Sequence, residues 1–192
     1  IATIVEHGIG DLVAEMRASG RMRATVDVRE AVLATDVSLV CVGTPSKPNG
    51  ALELGYVERV CEQIGAALKD KSTRHTVIIR STVLPGSTHG VAIPALERHS
   101  GLKANVDFGI GMNPEFLREG TSIEDFYDPP FTVIGSEDPD LAARVVNAIV
   151  DKSHQIAPEI AGASSFGLAF AGMIVGSLLT AAPARKTTSS AS

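Results

Sequence analysis

The sequence predicts an α/β domain with a mostly parallel sheet flanked by helices, and three observations carry that prediction. Short apolar runs recur at Val37–Val42, Thr76–Ile79, Val106–Met112 and Phe131–Ile134. The first of these, VSLVCV, does not alternate polar with apolar residues, the pattern of a strand covered on both faces. Stretches of helical periodicity lie between the runs, and strands alternating with helices through short connections imply right-handed βαβ crossovers.

Each element has a local reason. Leu12, Val13 and Met16 form an apolar stripe over Asp11–Ser19, and Gly20 follows as a residue able to close a helix in the left-handed conformation. Arg23–Val26 reads as a short strand. Asp27 is placed to cap a helix running to about Leu33, because its carboxylate can accept the free amide protons of the first turn. The strand over Val37–Val42 stops at Gly43-Thr44-Pro45. Over Leu54–Leu68, the residues Val57, Val60, Cys61, Ile64 and Leu68 fall on one helical face, with Glu58, Glu62 and Gln63 outside. Thr76–Ile79 is a β-branched run ending at Arg80-Ser81-Thr82, followed by Pro85-Gly86 and a weaker helical stretch over Val91–Arg98. Val106–Met112 ends at Asn113-Pro114. Beyond Phe131–Ile134, Asp138-Pro139 supplies an N-cap and a first helical residue for Leu141–Val150.

Composition narrows the function. With 192 residues, 44% apolar and 20% charged, the chain is long enough for one domain with a sizeable core, which excludes a fibrous or wholly disordered protein. A net charge of -5 provides no basic field for nucleic acid. The two cysteines, Cys41 and Cys61, have neither metal-site nor redox-pair spacing and read as buried, reduced thiols suited to the cytoplasm. The opening IATIVEHGIG shows no signal-peptide pattern and no initiator methionine, so the chain is expected to begin inside a longer protein. Residues 1–150 are expected to form the domain and 151–192 a tail. Within that tail, residues 161–182 carry no charge and hold Gly172 and Gly176 in GxxxG spacing, compatible with a membrane helix, a soluble helix or a disordered appendage.

The chemistry is expected at the carboxyl ends of the strands, where the departing loops of an open parallel sheet leave a crevice. Three polar stretches fall there: GTPS at Gly43–Ser46, RSTVLPG at Arg80–Gly86 and NPEFLREG at Asn113–Gly120. Each also has a plain structural reading. Thr44-Pro45 suits a turn, Ser81-Thr82 a helix cap, Glu115 a first-turn carboxylate, and Glu119 beside Arg118 a solvated face. The five histidines are isolated and read as core or surface residues.

Taken together, CVGTPSKPNGALELGYVE, VIIRSTVLPGSTHGV and GMNPEFLREGTSIEDF are much more specific. In this order and separation they closely resemble the N-terminal, NAD-binding domain of the nucleotide-sugar 6-dehydrogenases, the UDP-glucose and GDP-mannose dehydrogenase family, and most of all its GDP-mannose branch. The resemblance runs from about Ile4 to Val150. It implies an NAD-dependent, four-electron oxidation of a sugar C6 alcohol to the carboxylate, GDP-mannose to GDP-mannuronate, through a thiohemiacetal on a cysteine; UDP-glucose is the alternative substrate. It further implies an oligomeric family, with Thr44 at the cofactor and Ser81 and Thr82 where nicotinamide, substrate and a catalytic water meet. By the same resemblance Glu115 is a base on that water, Glu119 contacts cofactor and substrate, and Phe116, Leu117 and Arg118 line the sugar.

The departures from the family pattern shape the fold expected. Rossmann domains open with a strand, a glycine-rich turn and an acidic residue about 20 positions later. GIGDLVAE has Gly8 and Gly10 but no third glycine in register and no apolar strand before it. The expectation is therefore a truncated Rossmann-like domain with its first βαβ unit missing and a sheet edge open. The family's substrate lysine and Gly-Gly-Ser-Cys nucleophile are also missing from this sequence. A fragment inactive on its own, a degenerate remnant and a membrane-tethered partner of an intact dehydrogenase all follow as readings.

Overall fold

A computed structural model of the chain describes residues 8–118, 120–128, 133–138, 140, 141 and 145. Helix α1 (Ile9–Ala18) is capped by Gly8 at φ 86° and buries Ile9 and Met16. The expected strand over Arg23–Val26 does not form. Thr25 Oγ1 instead donates to Glu30 Oε2 at 2.8 Å and accepts the Asp27 amide, making a turn that leads into the next helix, and Val26 is 85% exposed. Helix α2 (Val28–Ala34) begins as expected, with Asp27 Oδ1 accepting the Glu30 amide.

Strand β1 (Val37–Val40) is two residues shorter than the apolar run predicts. Helix α3 (Gly55–Leu68) buries the expected stripe, Val57, Val60, Cys61, Ile64 and Leu68. Strand β2 (Thr76–Ile79) matches the expectation residue for residue and is buried throughout. The following helical stretch starts earlier than the sequence suggests, with a π turn over Thr88–Ala92 that leads into α4 (Ile93–Ser100). Pro94 explains the change of pitch: it has no amide proton for the Gly90 carbonyl, so the preceding turn closes through Ile93 N to Thr88 O.

Strand β3 (Gly109–Met112) begins three residues later than expected, because Ala104–Asp107 turns through Asn105 at φ 62° and leaves Val106 71% exposed. Helix α5 (Ser122–Tyr127) follows the last polar loop. Of the fourth apolar run, Phe131 lies outside the described residues. Val133 and Ile134 are not strand, and Gly135 makes one antiparallel bridge to Met112. Asp138 accepts the amides of Asp140 and Leu141, the N-cap expected of it, whereas Pro139 and most of Leu141–Val150 lie outside the described residues, as does the segment 161–182.

The three strands are parallel and lie in chain order, with Val40, Ile79 and Met112 side by side at the carboxyl end. That order, three parallel strands joined through helices, is that of one half of a doubly wound sheet. Because side chains alternate along a strand, the sheet separates two apolar layers. Val40, Val42, Val77, Ile79 and Ile110 pack under α3 and α4, while Leu39 and Ile78 pack with Leu141 and Val145 on the opposite face. Gly109 and Gly111 allow that second layer to close in, since a Cβ on Gly109 would stand 2.5 Å from Leu141 Cδ1.

A polar joint fastens α2 and β1 to β2. Lys71 Nζ donates to the carbonyls of Val32, Leu33 and Thr35, satisfying the exposed end of α2. His75 is buried between Thr35 O and Ser38 Oγ, 3.0 and 2.8 Å away. Burial first, and the Lys71 charge second, push its pKa down to about 4. The ring is therefore neutral at physiological pH, with Nδ1–H donating to the carbonyl and Nε2 accepting from the serine. His89 is exposed on Glu137 and His99 Nδ1 donates to the Ala95 carbonyl, so the described histidines are core or surface residues as the sequence implies.

Candidate active site

The parallel register delivers all three polar loops to one rim. Cys41, Arg80 and Asn113 each follow the last residue of a strand, and neighbouring strands are about 5 Å apart. Arg80 N and Ser81 N both donate to Val40 O, and Asn113 N donates to Ile79 O at 3.0 Å, so the ladder continues one step past the regular strands.

Side-chain alternation then sorts the loops. Ser81 turns inward, its hydroxyl donating to Val42 O at 2.6 Å, and is buried. Thr82 is exposed, and its carbonyl accepts from Thr44 Oγ1 at 2.6 Å. Ser81 thus braces the two loops from behind while Thr82 presents itself at the surface. Beyond Thr44 the chain makes a small hairpin, with Ser46 bridged to Leu52, Glu53 N bonded to Pro45 O and Lys47 paired with Glu53.

On the other side of the sheet the rim is charged. Arg80 is 7% exposed and donates through Nη1 to Asn113 Oδ1, while Asn113 Nδ2 donates to Val133 O at 2.8 Å. Arg80 Nε lies 3.5 Å from Glu115 Oε2, inside ion-pair reach, but it makes no hydrogen bond of good geometry to a described acceptor. Cys41 adjoins this pair. Burial, and to a lesser extent Glu115, raise its thiol to about 12 against the opposing pull of Arg80, so it is protonated and a poor nucleophile. Cys61 is fully buried and also raised to about 12, chiefly by burial.

The rest of NPEFLREG is held from outside. Arg118 meets Asp125 through its backbone amide, Nε and Nη2, the last at 2.7 Å to Oδ1, and this fork with the amide bond holds the Asp125 pKa down to about 2. Phe116 is 50% exposed beside it and Leu117 is half-buried. Glu119 lies outside the described residues. The structure therefore brings Thr44 to Thr82 directly, sets Ser81 behind them, and puts Glu115 on the same rim against a cation. Sequence reasoning missed Arg80 and Asn113 as site residues. An arginine ending an apolar strand run is a usable signal, because such a cation is buried only with partners.

Residues 1–152 match the family described as UDP-glucose/GDP-mannose dehydrogenase family, NAD binding domain. The chain belongs to this family. Among its relatives, a GDP-mannose 6-dehydrogenase of Azotobacter vinelandii is 62% identical over 135 residues, which are 70% of this chain and 31% of that protein. A UDP-glucose 6-dehydrogenase of Haloferax volcanii is 40% identical over 136 residues, 71% of this chain and 31% of its own. The crystal structure of a ternary complex of GDP-mannose dehydrogenase from Pseudomonas aeruginosa superimposes with a TM-score of 0.76 at 52% identity, over 78% of this chain and 34% of that one. This chain spans about a third of the length of the curated relatives it matches.

The cofactor of the family's domain is NAD. Thr82 is exposed beside the Thr44 loop at the strand ends. No glycine-rich turn after a strand occurs among the described residues, since Gly8 and Gly10 head a helix instead. Among those residues, too, no group of His, Cys, Asp and Glu could hold a metal ion and no helix is long and apolar enough to cross a membrane.

Proposed function

We propose that this domain supplies the nicotinamide-side wall and the base-bearing loop of a GDP-mannose 6-dehydrogenase, which oxidises the C6 alcohol to the carboxylate in two two-electron steps. NAD, when bound, is the hydride acceptor. Thr44 and Thr82 hold its nicotinamide end, with Ser81 bracing them, and Glu119 reaches cofactor and substrate. Glu115 takes a proton from the water that attacks the C6 carbonyl group, and its carboxylate is ready for that role because it is partly buried yet reaches the surface. Phe116, Leu117 and Arg118 line the sugar, Arg118 from its fixed position on Asp125.

One observation carries the reading: three loops of different chemistry leave the sheet at a single rim through the register of Val40, Ile79 and Met112. GDP-mannose is favoured over UDP-glucose by the higher identity to GDP-mannose 6-dehydrogenases, 62% against 40%. Two free thiols suit a cytoplasmic setting. The 192-residue chain alone is a folded but non-catalytic unit, because neither Cys41 nor Cys61 is an available nucleophile.

The test is a chimera in which residues 8–138 replace the matching segment of the Azotobacter vinelandii relative. NADH formation with GDP-mannose is expected from the chimera, none from this chain alone, and a loss of at least 100-fold from Glu115→Gln in the chimera. A folded chimera that turns over UDP-glucose and not GDP-mannose overturns the substrate assignment, and an unimpaired Glu115→Gln variant overturns the assignment of the base.

A further inference from the structure

We propose that Arg80 is a positioning residue for Glu115: fixed in the sheet rim by Asn113, its guanidinium faces the Glu115 carboxylate and holds it at the mouth of the crevice. The inference rests on the reading of Glu115 as the base and adds what keeps that base in place.

Glu115 sits in a loop, 113–118, with no regular backbone structure, and its side chain is 30% exposed. A glutamate so placed has three torsions to lose before it can act. Arg80 is the opposite kind of group. It follows a central strand, is only 7% exposed, and is restrained by Asn113, which is itself bonded to Ile79 O through its amide and to Val133 O through Nδ2. The cation cannot follow the carboxylate outward, and a buried cation is stable only near counter-charge. Glu115 Oε2, 3.5 Å from Nε, is that counter-charge among the described residues. The separation is too long for a direct hydrogen bond of the usual strength. It leaves the carboxylate lone pairs available to a substrate water while the attraction keeps the group from turning to solvent.

Cys41 reports on the arrangement, since its thiol feels Arg80 and Glu115 with opposite sign. In the intact 192-residue chain, alkylation of Cys41 by iodoacetamide at pH 8.5 is followed by mass spectrometry, with buried Cys61 read separately. Glu115→Gln removes the like charge and is expected to accelerate the reaction about threefold or more. In the Arg80→Met background the same substitution is expected to change the rate by less than about 1.5-fold, because Glu115 no longer stays beside the thiol. Comparing the two ratios cancels any general change in access to Cys41, and circular dichroism melting confirms that each variant folds. If Arg80→Met does not fold, Arg80→Lys is used. Lysine keeps the charge but cannot engage Asn113 and Glu115 together, so an intermediate ratio is expected.

An equal ratio in the wild-type and substituted backgrounds overturns the proposal, because Glu115 then keeps its place without Arg80. The outcome involves neither NAD nor sugar. A failure of the base assignment would appear only in the turnover of the chimera, so the two failures are distinguishable.

Discussion

Thr44 Oγ1 donates to the carbonyl of Thr82 at 2.6 Å and so ties the loop after β1 to the loop after β2. The bond spans 38 positions of sequence, and its geometry fixes which way Thr82 faces. Thr44→Val keeps the shape and removes the donor. We expect a loss of about 1 kcal/mol in urea unfolding, together with faster amide exchange at residues 82–84. Thr44→Ser should restore both.

Gly65 sets the distance between α3 and α4. A Cβ there would stand 2.8 Å from Leu96 O and 3.1 Å from His99 Cβ. Alanine is favoured over glycine in a helix by roughly 0.5–1 kcal/mol, but overpacking against backbone costs about 1–3 kcal/mol. The clash should win. Gly65→Ala is expected to lower the melting temperature and to loosen α4, read by amide exchange. A rise in melting temperature would show that the two helices can separate without cost.

His75 makes stability depend on pH. Its folded pKa, about 4, lies below the ordinary value near 6.5, so between those values the unfolded chain binds more protons. The contribution is complete above pH 6.5 and is lost as pH falls toward 4, an effect on the order of 3 kcal/mol. Urea unfolding at several pH values should show that slope. His75→Gln should be less stable at neutral pH and flatter across the same window.

Asp125 should control the mobility of the loop that carries Glu115. Its pKa, about 2, is depressed by Arg118, so the pair is intact above the ordinary carboxylate range and dissolves as pH falls through about 2. Asp125→Asn removes the charge at every pH. The expected result is several-fold faster amide exchange over residues 115–118 with little change in melting temperature, whereas unchanged exchange would show that Pro114 and the Asn113 bonds alone hold the loop.

Much of this fold was legible because its signals are local. The apolar stripe of α3 and the β-branched run of β2 each name one structure, and Asp27 and Asp138 announce their helices by chemistry that needs only the next three residues. Expectations failed where tertiary contact overrides propensity. Thr25 spends its hydroxyl on Glu30 and so turns an apparent strand into a loop, and Pro94 converts an ordinary helix start into a π turn. At the rim, the placement of the loops that carry Thr44, Thr82 and Glu115 was legible, because each begins where an apolar run ends. The Arg80–Asn113 bond was not, because it joins positions 33 apart whose proximity depends on strand register.

Alternation along β2 places Arg80 toward the charged rim and Ser81 toward the oily layer under α3. Inserting or deleting one amino acid within that strand would exchange the two, burying a guanidinium among valines and stranding a hydroxyl where the carboxylate needs a cation. Evolution can therefore tinker with chain length in the hairpin between Ser46 and Leu52, but not between Thr76 and Ile79. Insertions and deletions in natural variants of this domain should avoid the latter stretch entirely.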